Sequence, residues 1–118
     1  MLVAIRGAVQ VATDTPAAIA TAVADLVGEV TRQNDLAPER VISALFTMTP
    51  DLSAAFPAAA ARERGWDSVP MLCAQEIAVP GSMARVCRVL VHAESDRPPR
   101  HVYLGAATAL RPDLLGGR

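Results

Sequence analysis

The chain has 118 residues, 52% of them apolar, enough for one domain with a real core but not for two. Its formal net charge is −1, with no acidic or basic block, which argues against a nucleic-acid or membrane surface. Cys73 and Cys87 have neither metal nor redox spacing, and two cysteines make no disulfide framework.

Residues 2–12 form a nearly continuous apolar run and are predicted as a strand buried on both faces. Thr13-Asp14-Thr15-Pro16 is a helix start: Thr15 can cap, and Pro16 suits the first helical position. Ile19, Ala22, Val23, Leu26, Val27 and Val30 then form a stripe at helical spacing, predicting one long amphipathic helix to about Asn34. Pro38-Glu39 restarts the chain. Residues 41–48 read as a second strand, broken by Thr49-Pro50-Asp51.

Residues 52–64 are alanine-rich with Pro57 inside, predicting a short, interrupted helix that Gly65 stops. Residues 69–77 read as a third strand, Pro80-Gly81-Ser82 as a turn, and 85–93 as a fourth strand. After an exposed loop over 96–100 come a short fifth strand, 101–104, and an alanine-rich segment. The Gly116-Gly117-Arg118 end is expected to be loose. The expectation is one α/β (α+β) domain over residues 1–118, with one long and one short helix on one side of a mixed five-stranded sheet.

No leader pattern is read at the N-terminus, because Arg6 interrupts the first apolar stretch, and no apolar run reaches about 18 residues; a cytoplasmic protein is expected. The mean hydropathy of +0.29 exceeds what one small globule comfortably hides, pointing to subunit contacts. All 11 cations are arginine, which with so much alanine reads as coding bias rather than function.

Arg88 stands out within Val86-Cys87-Arg88-Val89-Leu90-Val91. Strand alternation puts it on one face with Val86 and Leu90. Arg6 repeats the pattern inside residues 2–9. Burying a guanidinium costs several kcal/mol unless an anion and hydrogen-bond partners are supplied. Two readings stay open on spacing alone: strand-edge cations paired with carboxylates and facing solvent, or a fixed pair that holds a small anion. On spacing alone Glu76 reads as solvated, Tyr103 as a rim or interface residue, and Arg62 and Arg64 as a solvated helix face. His92 and His101 have no metal or nucleophile pattern and read as structural; Met48, Met71 and Met83 read as core filler. No GxGxxG, P-loop, HExxH or GxSxG is present. Arginines, one carboxylate and one phenol suit binding and electrostatic stabilisation better than covalent or metal chemistry.

The order of short blocks is more specific. Ile5-Arg6-Gly7-Ala8, Asp14-Thr15, Thr49-Pro50-Asp51-Leu52, Phe56-Pro57-Ala58 and Gly65-Trp66 come first. Val69-Pro70, Cys73 with Gln75-Glu76, Arg88-Val89, residues 100–104 and Leu110-Arg111-Pro112-Asp113-Leu114 follow. This series resembles the trimeric α/β-type chorismate mutases over nearly the whole chain.

The resemblance implies a homotrimeric pseudo-α/β-barrel with active sites in clefts between subunits. It implies rearrangement of chorismate to prephenate in aromatic amino-acid synthesis, with no cofactor, no metal and no covalent intermediate. Residue by residue, it makes Arg88 the donor to the ether oxygen of the breaking bond, and Arg6 and Tyr103 the holders of a carboxylate. Glu76, with the backbone near Cys73, would bind the ring hydroxyl. Phe56, Ala58 and Leu110 would line the pocket, and Arg62 and Arg111 would belong to segments that cover it. Ala59 stands where the family often has a lysine, removing one peripheral cation. The alternative in another class is a non-catalytic trimeric binder of a small carboxylate metabolite.

Overall fold

The structure, a computed structural model, describes residues 1–113. Its elements in chain order are β1 (Leu2–Gln10), α1 (Pro16–Asn34), β2 (Val41–Met48), α2 (Pro57–Ala61), β3 (Met71–Gln75), β4 (Val86–Glu94) and β5 (Val102–Leu104). A short 3₁₀ turn, Pro38–Arg40, precedes β2, a wide turn, Arg62–Trp66, follows α2, and another 3₁₀ turn, Gly105–Ala109, follows β5. The tail expected to be loose lies outside the described residues.

The strands form one sheet in the order β3-β2-β4-β1-β5. Central β4 runs antiparallel to both β1 and β2, while β3 and β5 add parallel strands at the edges. The mixed five-stranded sheet is as expected, and α1 and α2 both contact it.

Local chemistry accounts for α1. The Thr15 hydroxyl accepts from the Ala18 N–H, Pro16 opens the helix, and the entire expected stripe is buried. The helix ends where Asp35 takes a left-handed conformation (φ 50°), its N–H turned back to the Arg32 carbonyl. Gly7 lets α1 approach the sheet. A Cβ there would lie 3.0 Å from Leu26 Cδ1, 3.1 Å from Val89 Cγ1 and 3.3 Å from the Val102 carbonyl oxygen.

Two expectations are corrected. β1 is not buried on both faces within the chain: Val3 and Ile5 are buried, while Leu2, Ala4 and Arg6 between them are exposed. The reason is that the helices form a single layer, covering only the face of Val3, Ile5, Cys87, Val89, Val91 and Phe46. Pro57 does not interrupt α2 but starts it, as its missing N–H allows. The helix then gives way at the wide turn, where Gly65 sits at φ 103° and Trp66 inserts beside Phe46, ring centroids 6.5 Å apart.

Candidate active site

The uncovered face of the sheet gathers the charged residues. Across it runs a row set by strand pairing: Thr47 opposite Arg88, Arg88 opposite Ala8, and Ala8 opposite Tyr103. The next row joins Leu45, Leu90 and Arg6. Arg6 and Arg88 are therefore diagonal neighbours on adjacent strands, at a backbone spacing of about 7–8 Å. A pocket of about 270 Å³ is lined by Arg6, Leu45, Thr47, Arg88, Leu90 and Tyr103, among others.

Glu76 closes one side. Its Oε2 accepts from Arg88 Nε at 2.9 Å and from the Thr47 hydroxyl at 2.7 Å. The Arg88 and Glu76 side chains are 33% and 15% exposed, so the pair is largely withdrawn from water. Both partners gain: the carboxylate has its counter-charge, and the guanidinium plane is fixed in direction. Among the described residues, the terminal nitrogens of Arg88 have no hydrogen-bond partner, nor does the Arg6 guanidinium. Two guanidiniums against one carboxylate leave this face with one surplus positive charge.

The start of β4 is braced by side chains. Asp51 accepts from the Arg85 N–H, and the Thr49 hydroxyl donates to Asp51 and accepts from the Val86 N–H. Arg85, held at φ 52°, returns its Nε to the Val11 carbonyl at 2.9 Å. These bonds hold the Asp51 carboxyl below its ordinary value of 3.8, the Thr49 hydroxyl being the largest cause. Asp14 does the same for the next loop, accepting from the N–H groups of Ser53 and Ala54.

The remaining expected site residues lie elsewhere. Phe56 and Cys73 line a second pocket of about 480 Å³ between β3 and the segment before α2. Phe56 is exposed and Cys73 is a free, exposed thiol. Ala58 is buried within α2, and Arg62 is exposed in the wide turn. The two pockets share no lining residue. Leu110 packs at the edge of a small cluster of Ala8, Val86, Tyr103 and Ala107, which places it beside the first pocket. Arg111 is tied to Asp113 through two hydrogen bonds of 3.0 and 2.8 Å, which raise its pKa. Among the described residues, no group of three or more His, Cys, Asp or Glu side chains is placed to hold a metal ion.

Sequence reasoning gave no site role to two contributors, Thr47 and His101, the latter being read as structural. Thr47 orients Glu76, and its relevance depends on the β2–β4 register. His101 accepts a hydrogen bond from the Arg6 N–H through Nδ1 at 3.0 Å. Of these, only the alternation of residues 41–48 was a signal available in advance.

Comparison with known proteins decides the family. The model of the family chorismate mutase type I matches residues 2–114. This chain belongs to that family. Among curated relatives, the chorismate mutase AroH of Thermus thermophilus is 47% identical over 97% of each chain. The chorismate mutase AroH of Bacillus subtilis (strain 168) is 42% identical, over 97% of this chain and 93% of its own. A solved chorismate mutase structure from Clostridium thermocellum superposes with a TM-score of 0.88 at 42% identity, covering 91% of this chain and 98% of the other. Within this type I chorismate mutase chain, the ordered sequence blocks divide by task. Asp14-Thr15 and Thr49-Pro50-Asp51 shape the backbone, whereas Arg6, Arg88 and Tyr103 line the pocket and Glu76 pairs with Arg88.

Proposed function

We propose that this chain is a chorismate mutase that rearranges chorismate to prephenate, acting as a homotrimer with each site shared between two subunits. Arg88 carries the reading. It stands on the open sheet face, its Nε held by Glu76 and its terminal nitrogens directed to no other described side chain.

Chorismate bears two carboxylates, and charge separates across its ether bond as that bond breaks. A guanidinium already aimed at the ether oxygen stabilises the transition state more than the ground state, by about 3–4 kcal/mol per donor. Glu76 serves the orientation first, because a free arginine would swing toward solvent; its second oxygen remains to meet the ring hydroxyl. Arg6 and Tyr103, flanking Arg88, hold a carboxylate. Confining the substrate to its compact reactive conformer removes a further part of the barrier. No step requires a covalent bond to the protein.

The shared site is supported by the separation of the two pockets. Phe56 and Cys73 line a pocket that shares no residue with that of Arg6 and Arg88, and Arg62 sits in the turn after α2, as expected if a neighbour brings its own copy of that wall. Apolar residues left bare on the sheet and just beyond β3 point the same way: Leu2, Leu45, Leu72 and Ile77 are 60%, 37%, 73% and 88% exposed. Leu110 and Arg111 would close the rim.

The test is loss of chorismate absorbance on adding purified protein, run beside a sizing measurement. Turnover from a species of three chains is the expected result. A folded trimer with no rate above background overturns the enzymatic reading, and saturable binding without conversion would favour a carboxylate-binding module instead.

A further inference from the structure

Arg6 sits where the β1–β5 ladder has not yet begun. That pairing opens at Gly7 opposite Val102, so the Arg6 N–H has no strand to bond to on that side. The acceptor it finds is a side chain, His101 Nδ1, at 3.0 Å. A backbone N–H can only donate. The ring must therefore present a lone pair at Nδ1, which fixes the tautomer protonated at Nε2 and excludes the imidazolium form.

The ring is placed from behind as well. The preceding residue, Arg100, is clamped on the buried Asn34 at the end of α1. The Arg100 N–H donates to Asn34 Oδ1 at 2.8 Å, and Asn34 Nδ2 donates to the Arg100 carbonyl at 3.0 Å. Asn34 is itself held by a third bond to the Val30 carbonyl. A rigid chain of contacts thus runs from the core helix, through the loop before β5, to the backbone of a substrate-binding arginine.

We propose that His101 is a positioning residue: a neutral imidazole that anchors the Arg6 backbone and thereby fixes the Arg6 guanidinium toward the substrate carboxylate. This rests on the carboxylate role given to Arg6 above. The charged groups around the ring favour the neutral form. Arg6 faces it from β1 and Arg111 from the segment after the 3₁₀ turn, the latter paired with Asp113; Tyr103 is the titratable group on β5, which His101 precedes. Burial, then these two cations, hold the His101 pKa below its ordinary value of 6.5. Protonation would set a donor against a donor and release Arg6.

A substrate carboxylate is present in ground and transition states alike, so loosening Arg6 should act mainly on KM. In the purified full chain, His101→Ala should raise KM for chorismate about fivefold to tenfold, with kcat within about twofold of wild type. His101→Asn places a carbonyl oxygen near the position of Nδ1 and should restore KM to within about twofold. Wild-type KM should rise as pH falls from about 7.5 toward 5, while that of His101→Asn stays flat. Nitrogen NMR of the free protein supplies a readout independent of turnover: Nδ1 should be unprotonated at neutral pH, and the Arg6 amide should titrate together with the ring. An unchanged KM in His101→Ala, an Asn variant as impaired as Ala, or an Arg6 amide indifferent to ring protonation overturns the proposal. If the wild type lacks turnover, the reading of function falls, and the NMR titration still decides the His101–Arg6 contact.

Discussion

The two faces of the sheet are built from the same strands and obey opposite rules. On the covered face, Ile5, Cys87 and Val91 are wholly buried under α1, and among the described residues no charge intrudes. One residue along, Arg6 and Arg88 project from the other face into a half-open pocket beside exposed leucines. Stability and chemistry are separated by the pleat, a single residue step. Neighbours on β4 show how sharp the division is: burial pushes the Cys87 thiol up to about 12, while Arg88 next to it reaches the open face and pairs with Glu76.

That division can be broken from either side. The largest effect is expected from Arg88→Ala, which should lower kcat on the order of 10²–10³-fold while the sizing profile is unchanged. Arg88→Lys should not rescue it, since an ammonium cannot bond Glu76 and direct a second donor in a fixed plane. Turnover near wild type in either variant would show that the open face is not where the rate is made.

Disturbing the covered face should cost stability instead. Gly7→Val forces side-chain carbon against Leu26, Val89 and the Val102 carbonyl, and should destabilise by about 1–3 kcal/mol, read as a lower Tm or denaturation midpoint. An unchanged midpoint would mean that α1 shifts freely on the sheet.

A smaller, pH-dependent effect should come from Asp51. Its folded pKa is lowered, so its contribution to stability is complete above the unfolded value of 3.8 and fades as pH drops through the folded value. The gap in denaturation midpoint between wild type and Asp51→Asn should therefore be widest near neutrality and narrow below about pH 4. A gap that is constant with pH would mean the charge of Asp51 does not matter.

The least perturbing test is thiol labelling at mildly alkaline pH. Cys87, buried and with its pKa raised to about 12, should remain unmodified until the protein unfolds. Peptide mapping that finds Cys87 labelled in the native state would show the covered face opening.

The sequence made α1 legible from cap to end because its signals are local: Thr15, Pro16 and a stripe within a few turns. The strands were recognisable but their ends were not. β1 stops at Gln10 and β3 covers only Met71–Gln75, since pairing, not composition, decides where a strand ends. The start of α2 was obscured because alanine gives no amphipathic contrast, and the loop before it is held by Asp14, some 39 residues distant.

For the site, Arg6 and Arg88 were conspicuous as cations in apolar strands, and the ordered blocks gave them a family. That they share a face depends on the β1–β4 register, and Glu76 meets Arg88 only when β3 lies beside β2. Thr47 escaped notice, and His101 was read as merely structural, for the same reason. Each matters through a partner that is close in space and far along the chain, 29 residues for Thr47 and 95 for His101.

The row Thr47–Arg88–Ala8–Tyr103 takes one residue from each of four adjacent strands. Its spacing is therefore the pitch of the sheet, about 4.8 Å per strand, set by peptide hydrogen bonds that no side-chain mutation alters. Substitution can change what each position offers but cannot move the positions apart. Ala8, between the arginine and the phenol, is fully buried against Val86, Tyr103 and Ala107 and so holds that part of the grid from beneath. Redesign of this pocket for a differently shaped dianion should therefore change the reach of the lining side chains, since their backbones stand on a fixed grid.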